Sequence, residues 1–187
     1  MKTHWSDGVV LIRPYQPGDV DAFFEAARAS IAEVGQWLPW CHPDYSLDEA
    51  RAWIAARPVA WDTGEAYSFG IFDVPGGHYL GGCGLNAFHP MHNFANLGYW
   101  VRTGCTARGV ATAATRLVAR FGFEALGLTR VEIVVDVDNG SSLRVAAKVG
   151  AVREGVLRNR LVNGDRVSDA VMFSLVPEDL GADAMQA

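Results

Sequence analysis

The stretch from Leu97 to Leu126, LGYWVRTGCTARGVATAATRLVARFGFEAL, constrains the fold more than any other. Its first part, Leu97 to Val101, is apolar and aromatic and predicts a buried strand. Arg102 to Arg108 predicts a loop with Gly104 as its flexible point. Gly109 then opens a helix in which Val110, Ala114, Leu117 and Phe121 recur at spacings of four, three and four, and so share a face. A strand that passes through a small-residue loop into a helix start aims several backbone N–H groups at one point. The first four amides of a helix have no internal partner, and the helix dipole adds partial positive charge there. Such a corner suits phosphate, and small residues at Ala107, Gly109 and Ala111 would let it approach the backbone. A plain strand–loop–helix corner carries the same local pattern. Gly104 and Gly109 have P-loop spacing, but Val110 and Ala111 stand where that motif needs Lys and Ser or Thr. There is no G-x-G-x-x-G, so the dinucleotide fingerprint is absent too.

The rest of the chain alternates between strand and helix patterns. Val9 to Arg13 is a β-branched run stopped by Pro14 and predicts the first strand. Pro17-Gly18-Asp19 predicts a turn with Asp19 capping a helix that carries Val20, Phe23, Phe24, Ala27 and Ile31 on its inner side. Gly35 to Ser46, GQWLPWCHPDYS, is an aromatic connecting segment; its rings either wedge it onto the core or line a site. Ser46-Leu47-Asp48-Glu49 is a capping box for a helix reaching Arg57 and ended by Pro58. Tyr67 to Asp73 and the glycine-rich Tyr79 to Leu85 predict strands, the latter with something large packed beside it. Asn86 to Asn93 predicts an exposed loop. Gly127 stops the central helix, and the Val/Ile-rich run Arg130 to Val137 predicts a buried central strand. Asn139-Gly140-Ser141-Ser142 starts a short helix ending at Gly150. Ala151 to Val162 and Arg166 to Val176 form a hairpin around Asn163-Gly164-Asp165, with Val167, Val171, Phe173 and Leu175 on one face. From about residue 177 the tail is peripheral. The order β-α-α-β-β-β-α-β-α-β-β predicts an α/β domain with a mixed sheet and helices on both faces. No repeat or linker divides residues 1–187, so one domain is expected.

Composition narrows the functional classes. A chain of 187 residues buries roughly 70% of its unfolded surface, enough core to dispense with metal or disulfide staples. The net charge of -5 argues against a nucleic-acid partner and is compatible with a cationic acceptor such as an amine. The N-terminus MKTHWSDG has no apolar signal core, and no stretch approaches the ~20 apolar residues of a spanning helix, so no membrane role is expected. Cys41, Cys83 and Cys105 are scattered and odd in number, which suits a cytoplasmic protein and gives no metal-ligand spacing.

The segment T-A-R-G-V-A-T, Thr106 to Thr112, resembles the pyrophosphate loop of the GNAT acyltransferase superfamily, Q/R-x-x-G-x-G/A. Gly109 and Ala111 match its small positions; Thr106 stands where Gln or Arg is usual. The preceding G-Y-W-V and following A-T-x-A resemble the RimJ/RimL-type branch, which acetylates protein N-termini. Asn139 and Ser142 match a second signature, N-x-x-S, followed by Ala151 where Phe is usual. Glu154 to Asp169 resembles the C-terminal hairpin of that branch. These three ordered segments span nearly the whole chain.

The resemblance implies a GNAT fold whose middle strands splay around acetyl-CoA. It implies an N-acetyltransferase that carries acetyl to a primary amine, in this branch a protein or peptide N-terminal α-amine, by direct attack in a ternary complex. It places the pyrophosphate on Ala107, Arg108, Gly109, Val110, Ala111 and Thr112, and the pantetheine arm along Trp100, Val101 and Arg102. An N–H near Val101 would hold the oxyanion. Asn139 is implied at the cofactor, and Ser142 at the departing thiolate, although both are also candidates for capping the helix. Asn96 stands where many members place a catalytic Glu, and Arg160-Leu161 where some place one in the hairpin. Water, His89 or His92 is then left to take the proton of the amine. The aromatic segment corresponds to the acceptor wall, making Trp37, Trp40, His42 and Tyr45, with Asn86, candidate acceptor contacts. A small-molecule amine acetyltransferase and a non-catalytic acyl-CoA-binding protein are the competing readings. A homodimer is compatible with each.

Overall fold

The computed structural model describes residues 2–181. Its strands are β1 (Trp5–Ser6), β2 (Val10–Pro14), β3 (Tyr67–Asp73), β4 (Tyr79–His89), β5 (Phe94–Val101), β6 (Arg130–Asp136), β7 (Val152–Asn163) and β8 (Arg166–Leu175). They form one sheet in the order β1-β2-β3-β4-β5-β6-β8-β7. Every neighbouring pair is antiparallel except β5–β6, which is parallel. That exception shapes the molecule. The two strands pair only at Phe94↔Arg130, Ala95↔Val131 and Asn96↔Glu132. Beyond Asn96, β5 continues to Val101 against β4 alone, and β6 continues to Asp136 against β8 alone. The middle of the sheet therefore splays, as the family resemblance implied.

Helices cover both faces. They are α1 (Val20–Arg28), α2 (Ile31–Val34), α3 (Leu47–Ala55), α4 (Arg57–Asp62), α5 (Val110–Leu126) and α6 (Gly140–Lys148). The stripe of α5 that includes Val110, Ala114, Leu117 and Phe121 is buried on one face against Phe69, Leu85, Leu97, Val131 and Ile133. The Phe121 ring lies 5.0 Å from Phe69, 5.3 Å from Tyr67 and 5.7 Å from Trp61. On the other face Phe23, Ala26 and Ala27 of α1 and Ala50 and Ile54 of α3 pack with Tyr15, Tyr45, Phe72 and Tyr79. Alternation along β3 divides the work: Phe69 and Ile71 join the α5 core, Phe72 the other.

Several sequence expectations are corrected. The observed order adds β1, α2 and α4 to the predicted elements. Pro58 does not end a helix but occupies the first turn of α4, where its missing N–H is no loss. Ile31 lies outside α1, because the chain breaks at Ser30, whose hydroxyl bonds back to the Ala26 carbonyl at 2.7 Å. Asp19 occupies the N-cap of α1 without capping it; its carboxylate takes both guanidinium nitrogens of Arg13 instead. Asn86 to Asn93 is mostly strand: β4 runs to His89, leaving a short turn at 90–93. Val167 is 54% exposed, unlike Val171, Phe173 and Leu175, because it lies toward the hairpin tip beyond Ala170, the last β8 residue that pairs with β6. The chain from 177 begins with a short 3-10 turn, Pro177–Leu180; residues 182–187 lie outside the described residues.

An ionic cluster ties β6, β7 and β8 together. Arg130 donates to Glu154 at 2.5 and 2.6 Å and to Glu132 at 2.9 Å, and Ser174 donates to Glu154 at 2.7 Å. The Arg130 bonds, with help from Ser174, hold the Glu154 carboxyl at about 2. A depressed folded-state pKa contributes stability that is present above the ordinary glutamate range and is lost as pH falls toward 2. Glu154→Gln should therefore flatten the decline in stability between about pH 4.5 and pH 2, read from urea midpoints across that range. Phe121→Ala should cost about 3–5 kcal/mol of unfolding free energy by the same measurement, because several rings lose their common partner.

Candidate active site

The splay opens a cleft of about 1100 Å³. Its first wall is the loop between β5 and α5. That loop is pinned at its start: Arg102 N–H donates to the Leu80 carbonyl at 2.8 Å, and Thr103 N–H to Ser30 Oγ at 3.0 Å. Thr103 Oγ1 donates to Glu33 Oε2 at 2.8 Å. Gly104, Ala107 and Gly109 then take positive φ of 87°, 61° and 80°. For Ala107 that conformation costs roughly 1–2 kcal/mol, so the surrounding loop must hold it there. Gly109 is the N-cap of α5 and no side chain caps it. The first helical bond is made by Ala113 N–H to the Gly109 carbonyl. The amides of Val110, Ala111 and Thr112 thus have no partner within the helix. Ala107, Gly109, Val110, Ala111 and Thr112 all line the cleft. Arg102 and Arg108 do not; the Arg102 amide is spent on Leu80, and Arg108 is exposed.

The opposite wall is β6 and the start of α6. Asn139 Oδ1 accepts from Ser142 N–H at 3.0 Å, so Asn139, not Ser142, is the cap. The Ser142 carbonyl accepts the Tyr99 hydroxyl at 3.2 Å across the splay, and both residues line the cleft. Arg144 and Lys148 line it as well. Sequence reasoning passed over these two cations, although their spacing of four puts them on one helix face.

The floor is built by β4 and β5, whose Asn86 and Asn96 line the cleft and pair through Asn96 Nδ2 donating to Asn86 Oδ1 at 2.9 Å. Neither side-chain amide titrates near neutral pH, so neither can serve as a general base. The remaining wall is aromatic. Trp40 lies 5.9 Å from Phe23, 5.6 Å from Tyr45 and 5.3 Å from Trp100. The aromatic segment is therefore both wedge and wall, since Trp37, Trp40, His42 and Tyr45 also line the cleft. Trp100 and Val101 line it too, with the Trp100 ring on the α1 side of the sheet. Asn163 Nδ2 donates to the Gln36 carbonyl at 3.1 Å, and Arg166 stands 5.6 Å over the Trp37 ring, so the hairpin tip meets this segment. Tyr15, Phe23 and Trp53 join the wall unannounced by the sequence, which separates them from the segment they pack on.

Three carboxylates line the cleft besides the predicted residues: Glu33, Glu49 and Asp136. Each is already engaged. Glu49 closes the capping box with Ser46 and meets His42 Nε2 at 2.9 Å; the Ser46 bonds hold it below the usual carboxylate range. Asp136 is buried, which alone would raise its pKa, but bonds from Ser168 Oγ, Asp138 N–H and Arg166 outweigh burial and lower it. His89 and His92 do not reach the cleft. They stack on each other 4.5 Å apart at the β4–β5 turn, because the two strands extend farther than the sequence suggested.

Known proteins share this architecture. Residues 10–152 match the family model described as Acetyltransferase (GNAT) domain. A provisionally assigned ribosomal N-acetyltransferase of Bacillus subtilis (strain 168), YdaF, is 29% identical over 174 residues, 91% of this chain and 92% of that protein. A provisionally assigned ribosomal-protein-serine acetyltransferase from Vibrio cholerae superposes with a TM-score of 0.82 at 30% identity, covering 94% of this chain and 98% of that one. RimJ of Mycobacterium smegmatis, solved in complex with CoA-disulfide, superposes with a TM-score of 0.81 at 26% identity, covering 95% and 86%.

Proposed function

The chain belongs to the GNAT acetyltransferase family, and we propose that it transfers acetyl from acetyl-CoA to the α-amine of a protein or peptide N-terminus by direct attack in a ternary complex. The observation that carries the donor is the row of uncapped amides at Val110, Ala111 and Thr112, opening on a cleft bounded by the free edge of β5. Those amides and the α5 dipole suit a diphosphate. Arg144 and Lys148 add positive charge to the same cleft. The unpaired edge from Leu97 to Val101 suits an extended arm laid down like an added strand. When bound, acetyl-CoA supplies an activated thioester. A main-chain N–H near Val101 holds the developing oxyanion, and the Ser142 hydroxyl offers a hydrogen bond to the departing sulfur.

Proton chemistry favours the acceptor class. Of the three carboxylates lining the cleft, Glu49 and Asp136 are held below the usual carboxylate range, which makes them weak bases, and Glu33 is tied to the Thr103 hydroxyl. An α-amine of pKa about 7.7–8.0 is neutral roughly a fifth of the time near pH 7.3, whereas a lysine at about 10.4 is neutral about once in a thousand. A site without a strong base therefore works best on an α-amine, with water taking the proton. The free cysteines Cys41, Cys83 and Cys105 fit a reducing, cytoplasmic setting.

Calorimetry with coenzyme A is expected to give saturable heat and thermal protection, and Gly109→Val should abolish both by straining the positive φ and crowding the cradle. No heat from the unaltered protein at millimolar ligand would sink the donor assignment. Ser142→Ala should lower kcat by about tenfold and leave coenzyme A affinity within about twofold, since the cap belongs to Asn139; unchanged turnover removes the serine from the reaction.

A further inference from the structure

One polar point interrupts the aromatic wall. A Cβ placed on Gly82 would stand 2.5 Å from Tyr15 Oη and 2.7 Å from Trp100 Nε1, so both atoms converge over one bare Cα. Gly82 faces Trp100 directly across β4 and β5, and Tyr15, Gly82 and Trp100 all line the cleft. Tyr79 stands behind: it does not line the cleft, and its hydroxyl lies 2.8 Å from that of Tyr15. A buried hydroxyl needs an acceptor for its hydrogen, and among the described residues Tyr15 is the one Tyr79 has. Either hydroxyl can donate in this pair; donation from Tyr79 satisfies the hidden hydroxyl and leaves the Tyr15 hydrogen free to turn toward an acceptor in the cleft. The indole N–H of Trp100 is a donor only. It has no hydrogen-bond partner among the described residues, yet it is not one of the two sealed, unpartnered side-chain atoms, Thr115 Oγ1 and Arg120 Nη2. It too is open to the cleft.

Two neutral donors set side by side fit one uncharged oxygen with two lone pairs. The cationic and histidine side chains lining the cleft stand on other elements: Arg144 and Lys148 on α6, and His42 already against Glu49. A carboxylate would thus find no counter-charge on the two notch residues, whereas an amide carbonyl needs none.

We propose that Tyr15 and Trp100 form a carbonyl-binding notch that selects acceptors bearing an amide carbonyl beside the reactive amine, over alkylamines and free amino acids. The inference rests on the acetyltransferase reading and sharpens it to the first residue of a peptide or an aminoacyl amide. The test compares phenylalaninamide, phenylalanine and phenethylamine as acceptors, by thiol release from acetyl-CoA, in the unaltered protein, Tyr15→Phe and Trp100→Phe. Circular dichroism and thermal unfolding serve as the check on folding. Each substitution should lower kcat/KM for the amide about tenfold more than for the alkylamine, chiefly through KM. Taking the ratio between proteins cancels the different amine pKa values. Equal losses on both acceptors, or no loss on either, would overturn the notch, as would a free amino acid used better than its amide. If coenzyme A binds and no amine turns over, the transferase reading fails by itself. The notch is then decided by calorimetry of N-acetylphenylalaninamide against N-acetylphenethylamine on the coenzyme A-loaded protein. An amide preference lost in Trp100→Phe upholds it, and equal affinities overturn it.

Discussion

Three facing pairs, ending at Asn96 and Glu132, hold the two halves of the sheet together. Had the pairing continued to Val101, the N–H and C=O groups of that edge would be satisfied by β6 and no cleft would exist. The parallel sense of the pair makes the early stop workable. A parallel connection requires a crossover, and here α5 provides it, packing on β2, β4, β5 and β6 and bridging the gap from one face. The helix that closes the sheet is thus the helix whose first turn opens on the cleft. Fold and site share one device.

The loop leading into that helix is held by contacts remote in sequence. Ser30 satisfies the end of α1 through Ala26 and also receives Thr103 N–H, so a break between two helices fixes the entry of the loop. Glu33 secures the neighbouring hydroxyl. With its entrance fixed, the chain adopts three left-handed residues, one of them an alanine. On the proposed reading, recognition by main-chain amides accommodates Thr106 where a longer polar side chain is usual, because backbone donors are independent of side-chain identity.

The wall proposed for the cofactor was legible because its signals are local. Gly109, Ala111 and the periodicity of Val110, Ala114, Leu117 and Phe121 lie within a few turns of each other. The wall proposed for the acceptor was only half legible. Trp37, Trp40 and Tyr45 announce themselves as rings in a loop, but Tyr15, Phe23, Trp53 and Gly82 meet only through sheet registry and helix packing. The glycine-rich strand hinted at a bulky neighbour, and Trp100 over Gly82 is that neighbour. Pro58 misled because the rule against proline inside a helix does not apply to a first turn. Ala151 borders an open apolar hollow of about 560 Å³, walled also by Leu143, Ala147 and Phe173.

An open sheet has two borders, and each is a template for a neighbouring chain. Here β1 is two residues long, too short to seed a foreign strand. At the other border β7 is broken twice, at Gly155 and between Leu157 and Leu161. Asn159 there takes a positive φ, tied to Asp169, and Arg153, Arg158 and Arg160 are exposed along it. These breaks and charges interrupt the flat ladder that edge-to-edge stacking requires, and they flank Val152, Val156 and Val162, the exposed apolar side chains of that border.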